Sequence, residues 1–519
     1  MRLSKSLWLL LTTLLLTVYY LYCAMYLNHM GYANNESLFY VEKAKIVFEG
    51  IGSRLKVMGL TAPIFPFYAT FVFTAIDYNT APILASAVGT ALLFNVMANT
   101  LVKRLQDDFY LIALLLVFVL HPGILYLACS GKSMYLQMIF FFLFFLNIFK
   151  FYTSNTTFHV SIASICLVVL VFCEYKFIWL TLFFLPLVLS ISIHSLNLSE
   201  KESIFRLFSS FNNPSLRRKL INKTFALYVI IFLLPLASVL IYKMLNLTHA
   251  ADLNYFIESP YATWSVLAEK INYNVLAENT TRHLLPEASM IISLRVLLFC
   301  PLMMMAIYLF RHRTYQILTL FTPLAFVEFL RIKYDKVYLT HQYYLMFVIL
   351  SLLCVIFRAD TVKEQKSFKI ILGLFLAVQL YTGYMFMSNS YIDEERNFVS
   401  ALTTRKLEMK QDENMDMASY INSLPGNPHV LIDDAVAYPV TAYVSHIQSL
   451  ILPYQDEFLS AIESPRHYAG YIVVATDKNP ANGYTQLTNK YLQIIQNSDS
   501  GFTLEKKYET PNWILYAIN

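Results

Sequence analysis

The sequence predicts a polytopic α-helical membrane protein that carries a small extracytoplasmic α/β domain at its C-terminal end. Three observations predict it. Hydrophobic residues fill 57% of the 519 positions and charged residues only 14%, at a mean hydropathy of +0.51, which excludes a soluble globular chain. The apolar residues gather in runs long enough to cross a hydrocarbon layer of about 30 Å, separated by short polar stretches. Beyond residue 387 the chain changes to charged, turn-rich sequence with short alternating segments.

The first run, residues 7–27, follows Arg2 and Lys5 and has no small-residue cleavage site before Asn28, so it reads as a retained span starting in the cytoplasm. Further runs lie at 61–77, 81–101, 108–128, 133–152, 158–173, 177–194, 224–245, 289–310, 315–330, 341–357 and 368–387. Basic clusters follow at Lys103 and Arg104, at Lys150, from Lys201 to Lys223, at Arg311 and Arg313, and from Arg358 to Lys369. All of them fall on the cytoplasmic side only if run 61–77 does not cross, and Pro63 and Pro66 suit a broken, juxtamembrane helix. The expectation is therefore about eleven spans plus that helix. A transmembrane domain (1–387) with outer loops 29–60 and 246–288 is followed by an extracytoplasmic domain (388–519).

Within the tail, 412–423 reads as an amphipathic helix ended by Pro425 and Gly426, 429–434 and 470–477 as buried strands, and 456–463 and 483–497 as helices. The last residues read as a hairpin around Thr510 and Pro511. Strand–helix alternation gives the α/β class. Asp433 and Asp434, after a strand, read as a helix cap or as ligands for a metal or sugar.

The modest net charge of +5 lies in loops and reports topology, not nucleic-acid binding. All six cysteines lie in or beside apolar runs without a CxxC pair, so neither a disulfide framework nor a zinc site is indicated. No cofactor and no metal is expected.

Four polar segments are candidates for chemistry. Asn34, Asn35 and Glu36 open a helical pattern running to about Glu49; a lone acid there is also a favourable helix-terminal charge, and Glu42, Lys43 and Lys45 read as solvated helix charges. Ser130–Gly131–Lys132–Ser133 reads as a turn between spans. Glu174–Tyr175–Lys176 is either a self-neutralising hairpin or a head-group contact. Arg331, Lys333 and Lys336, followed by His341, put cations on the side where the positive-inside rule disfavours them. They suit a lipid phosphate or pyrophosphate, or a contact with anionic lipid, and Arg54 and Lys56 would add to the same positive field.

With these segments in place, the chain resembles the GT-C superfamily, the polytopic glycosyltransferases that use polyprenyl-phosphate-linked sugars, and among them bacterial enzymes of the protein-mannosyltransferase and aminoarabinose-transferase kind. The resemblance rests on Asn35-Glu36 where the family has Asp-Glu, on Phe39-Tyr40, Gly50 and Thr61-Ala62-Pro63-Ile64-Phe65-Pro66, and on Lys176 within an apolar segment ending in Pro186. The stretch from Leu318 to Leu345 is similar to the family's late outer loop. The chain departs from the pattern at Asn35, in place of an acid, and at Lys132, in a second loop without a carboxylate between His121 and Phe140.

What the resemblance implies is an inverting sugar transfer on the extracytoplasmic face of a bacterial inner membrane. Glu36 would be the base, and Asn35, Arg54, Lys56, Lys176, Arg331, Lys333, Lys336 and His341 would bind substrate. The partners would be a polyprenyl-phosphate-linked donor, a lipid, glycan or protein acceptor, and membrane lipids. A transporter or flippase of lipid-linked glycans and a non-catalytic scaffold of GT-C ancestry are the competing classes; the sequence shows no internal repeat of the transporter kind.

Overall fold

The computed structural model describes residues 5–105, 107–195, 212–262, 292–311, 314–334, 340–390, 392–407, 412–498 and 503–519, and within them every apolar run but 61–77 forms a helix or a bent pair of helices. In chain order these are α1 (Lys5–His29), α2 (Asn35–Glu49), α3 (Ile64–Phe71), α4 (Ala81–Arg104), α5 (Asp108–Leu120), α6 (Pro122–Cys129), α7 (Met134–Ser154), α8 (Thr157–Cys173) and α9 (Leu180–Ser195). Then come α10 (Pro214–Ala250), α11 (Tyr255–Glu258), α12 (Ile292–Phe299), α13 (Leu302–Phe310), α14 (Thr314–Lys333), α15 (Gln342–Arg358) and α16 (Gln365–Ser388). Among the described residues, seven helical stretches are long and apolar enough to cross a membrane, and nine if each bent pair counts as one span. The protein is thus an integral membrane protein of largely helical build. The short α8 and α14, which ends in charged residues, occupy the two remaining runs.

Run 61–77 forms no continuous helix. A π-helical turn (Lys56–Thr61) breaks at Gly59, Pro63 precedes α3, and turns follow to Asp77. Prolines set the two bends as well. Pro122 opens α6 at 63° to α5, and Pro301 separates α12 from α13 at 102°, because a proline cannot donate to the helix behind it. Every residue from Tyr343 to Phe357 is buried, which makes α15 the central helix, whereas α1 and α16 turn rows of leucine, isoleucine and valine outward. Helix α10 continues to Ala250, so the loop expected from 246 begins later than its sequence suggested. The described part of that loop includes Tyr255 and Tyr261, while Trp264 lies outside the described residues.

After α16 come α17 (Asp393–Thr403), which packs on the bundle helices α1, α6 and α16, and then α18 (Asp412–Asn422), α19 (Asp434–Thr441), α20 (Phe458–Glu463), α21 (Pro465–Tyr468) and α22 (Asn489–Ser498), with a five-stranded sheet. Its strands are β1 (Val430–Leu431), β2 (Leu450–Ile451), β3 (Tyr471–Ala475), β4 (Leu504–Glu509) and β5 (Trp513–Ile518), in the order β2-β1-β3-β5-β4. β2, β1 and β3 are parallel; β3, β5 and β4 are antiparallel, with Val473 opposite Leu515. Asp433 caps α19, its side chain accepting the Ala435 N–H, as the capping reading of that strand end expected.

The element that joins membrane bundle and sheet is α2. All its residues from Ser37 to Val47 are buried, and its apolar side chains share one core with Val430, Ile432, Val436, Tyr438 and Leu515. Glu42, Lys43 and Lys45 are therefore not solvated. Lys43 Nζ lies 2.6 Å from Asp434 Oδ2 and 3.1 Å from Glu42 Oε2, with side chains 2%, 3% and 0% exposed. Thr441 Oγ1 donates to Glu42, and Lys45 Nζ donates to the carbonyls of Ala442 and Val444. Burial pushes the Glu42 carboxyl well above the usual carboxylate range, with Lys43 opposing and Asp434 reinforcing. The Lys43 ammonium is also desolvated, but Asp434 and Glu42 outweigh that and hold it protonated.

Removing one member of a buried pair strands the other, at a cost of about 3–5 kcal/mol. Lys43→Met is accordingly expected to lower the thermal midpoint in detergent strongly, and Lys43→Met with Asp434→Asn to lower it by less than the two single changes together. Additive midpoints in such a cycle would show the pair to be uncoupled.

Candidate active site

The N-terminus of α2 gathers the polar residues that the sequence singled out in the first loop. Asn34 caps the helix: its Oδ1 accepts the Glu36 N–H at 3.0 Å, freeing its Nδ2 to donate to Glu394 Oε2 at 2.7 Å and to Tyr126 Oη at 3.2 Å. The Asn35 N–H donates to the other Glu394 oxygen at 3.1 Å. Glu394, from the first turn of α17, thus satisfies one backbone donor that the start of α2 leaves open and holds the capping side chain as well. Burial raises the Glu394 carboxyl, against the opposing pull of Lys132 and the Asn35 N–H.

Glu36 turns away from its own helix toward the loop between α6 and α7. Its Oε1 accepts from the Ser133 N–H at 3.1 Å and from Ser133 Oγ at 2.5 Å, and its Oε2 faces Lys132 Nζ at 3.6 Å. The loop can come this close because Gly131 adopts φ +76° beside Ser37, where a Cβ would stand 2.7 Å from the serine oxygen. Glu36 and Lys132 are not fully enclosed, at 13% and 14% side-chain exposure. Burial would discharge the Lys132 ammonium, but the fields of Glu36, then Glu394 and Glu395, raise its affinity for the proton.

Glu395, next along α17, accepts from Thr340 Oγ1, the His341 N–H, Ser390 Oγ and His341 Nδ1, the last at 2.5 Å. Burial would raise this carboxyl too, yet His341 and Ser390 outweigh it and hold it below the usual range. His341 is buried and committed to Glu395, whose field also acts on Lys132.

The other candidates form a second group. Lys176 pairs with Glu174 at 3.1 Å and stands 5.5 Å from the Tyr334 ring centroid. Lys333 lies 3.5 Å over the Trp179 ring, whose Nε1–H donates to Tyr334 Oη. Arg331 reaches Glu328 at 4.0 Å, and Glu328 in turn accepts both donors of Ser293. Arg54 is exposed and Lys56 half-buried beside the π-helical turn, and Lys336 lies outside the described residues.

Side chains link the two groups. Ser133 opens α7; one turn on, Gln137 accepts from Gln342 Nε2 at 2.5 Å, and the neighbouring Tyr343 meets Phe177 beside Lys176. Tyr40 of α2 lies between them as well: burial, then Glu36, push its hydroxyl far up, Ser133 pulls it down, and Cys173 and Glu174 act on it more weakly. The arrangement offers a partly open carboxylate–ammonium pair at one end and two lysines amid Tyr334 and Trp179 at the other. Lys132 and Ser133 belong to a candidate segment that reads as a turn in the sequence, and Glu394 and Glu395 were not anticipated. A run of three acids, Asp393 to Glu395, right after the last apolar run was the available signal for the last two.

No protein-family model and no curated protein matches the chain. Among solved structures it is similar to ArnT from Cupriavidus metallidurans bound to undecaprenyl phosphate, at 11% identity and a TM-score of 0.49, over 99% of this chain and 98% of that one. It is also similar to the Archaeoglobus fulgidus oligosaccharyltransferase in its apo form (11%, TM-score 0.43, 98% of this chain and 74% of that one). A third structure is AglB from Archaeoglobus fulgidus in complex with an inhibitory peptide and a dolichol-phosphate (10%, TM-score 0.42, 99% and 74%). ArnT and AglB are both GT-C glycosyltransferases.

Because Glu394 holds the first turn of α2 by two hydrogen bonds, Glu394→Ala is expected to speed amide exchange across residues 33–38 and to lower the thermal midpoint. Each buried donor left unpaired costs about 1–3 kcal/mol. Unchanged exchange in that segment, read by mass spectrometry, would show that Glu394 does not hold it.

Proposed function

We propose that the protein is a membrane glycosyltransferase that moves a sugar from a polyprenyl-phosphate donor to a hydroxyl acceptor on the extracytoplasmic face, with Glu36 as the base. The observation that carries this reading is the Glu36 carboxylate: fixed through one oxygen by Ser133, facing Lys132 at 3.6 Å through the other, and linked by side chains to the lysine–aromatic group of Lys176, Lys333, Trp179 and Tyr334. The resemblance of the sequence to the GT-C pattern supports it independently. The topology that goes with it has about eleven crossings. It puts loop 29–60 and residues 388–519 outside, in a bacterial inner membrane, with 1–387 as the membrane domain.

The chemistry follows from the two ends. Glu36 takes the proton of the acceptor hydroxyl as that oxygen forms a bond to the anomeric carbon. The bond from that carbon to the phosphate oxygen breaks, its electron pair leaves with the polyprenyl phosphate, and Lys176 and Lys333 counter the charge that develops there. Attack opposite to departure inverts the anomeric centre. The bends of α5–α6 and α12–α13 are the observation that favours the second reading, transport of a lipid-linked glycan, since interrupted helices recur in transporters.

With polyprenyl-phosphate sugars as donors, Glu36→Gln is expected to cut turnover by roughly 10²–10⁴ with the thermal midpoint retained. Full turnover by that variant would remove Glu36 from the chemistry. Lys176→Ala and Lys333→Ala are expected to raise the KM for the donor roughly tenfold each, as loss of a charge-assisted contact does. A donor KM unchanged in both would place the phosphate elsewhere.

A further inference from the structure

We propose that Lys132 is a second catalytic residue, which together with Glu36 grips the acceptor hydroxyl. The inference rests on the reading of Glu36 as base. Three observations carry it. Glu36 Oε1 is fully used by the two donors of Ser133, which leaves Oε2 with Lys132 as its one ion-pair partner among the described residues. Lys132 Nζ forms no further ion pair among those residues, and its nearest aromatic face, Tyr126, is 5.8 Å away, so N–H donors remain for a ligand. The separation of 3.6 Å between Nζ and Oε2 is too long for a strong charge-assisted bond, but it leaves room for a hydroxyl oxygen about 2.8 Å from both.

A hydroxyl in that position has its proton directed at Glu36 Oε2 and one lone pair held by the Lys132 ammonium, which leaves the other lone pair to attack. The ammonium gives up no proton in this step. It fixes the oxygen while the hydroxyl proton passes to Glu36 and the bond to the anomeric carbon forms. Lys132 itself is held by its surroundings. Glu394 and Glu395, from α17, keep the ammonium charged, and Ser130 Oγ accepts the Lys132 backbone N–H. An ammonium also suits this position better than a fourth acid, since Glu36, Glu394 and Glu395 already bring three carboxylates to it. The ligand class is a neutral hydroxyl, of water or of a sugar, that both receives and donates a hydrogen bond.

The test uses the full-length protein in detergent. Its donors are the polyprenyl-phosphate esters of glucose, mannose, galactose and arabinose, and its acceptors are octyl glucoside and water. Lys132→Met is expected to raise the KM for octyl glucoside and to lower turnover, together by roughly tenfold to hundredfold, while the donor KM stays unchanged. Lys132→Arg is expected to recover part of the loss, and added ethylammonium to restore part of the turnover of Lys132→Ala, which a purely structural role would not allow. An unchanged acceptor KM and turnover in Lys132→Met, or a rise confined to the donor KM, overturns the inference and leaves Glu36 as base if Glu36→Gln is inactive. Wild-type protein that turns over none of the donors, or full activity of Glu36→Gln, overturns the reading of the site as a whole.

Discussion

A charged helix buried on every side is the constraint on which the rest of this structure depends. Helix α2 carries Glu42, Lys43 and Lys45 into a region without solvent, and an unpaired charge there would cost more than the apolar contacts of one helix return. Each must find a partner, and nearly all of those partners lie in the sheet layer: Asp434, Thr441, and the carbonyls of Ala442 and Val444. The pairing fixes the rotation and height of α2 against the sheet. That setting determines where its first turn, and so Glu36, meets Ser133 and Lys132. The ion pair is thus of more consequence for geometry than for net stability, since an apolar replacement of the whole pair can be just as stable.

Much of the architecture was legible in the sequence because its signals are local. Apolar runs, proline breaks and the change of composition at the end of the bundle are all read within a window of a dozen or so residues. The strand at 471–475, the hairpin around Thr510 and Pro511, and the cap at Asp433 were read correctly for that reason. The two-residue strand β2 and the helices α17 and α19 offered too little pattern. Glu42 and Lys43 were misread as solvated because a helix with charges on several faces has an ordinary surface composition; only the sheet packed against it makes them buried.

The site divides along the same line. Glu36 was visible as a polar residue at a helix start, and Lys176 and Lys333 as charges beside apolar runs. Their partners were invisible. Ser133 lies 97 positions from Glu36, Glu394 lies 359 from Asn35, and Asp434 lies 391 from Lys43, so no periodicity connects them. The substitution of Asn35 and the appearance of Lys132 looked like two independent departures from a family pattern. In the fold they are neighbours of one acid: Glu394 accepts from the Asn35 N–H and helps to hold Lys132 charged.

The pairing of Lys43 with Asp434 also sets an order of events during synthesis. A chain made from its N-terminus presents α2 long before residue 434 exists, and until then Lys43 and Glu42 have no partner to draw them out of water. The first loop must wait in a hydrated, unfinished state while the hydrophobic bundle is inserted. Only the arrival of the sheet layer lets the charged helix be enclosed, and the same closure sets Glu36 against its serine. The bundle can be in place and Glu36 still loose, which ties the setting of this turn to completion of the chain and not to entry into the membrane.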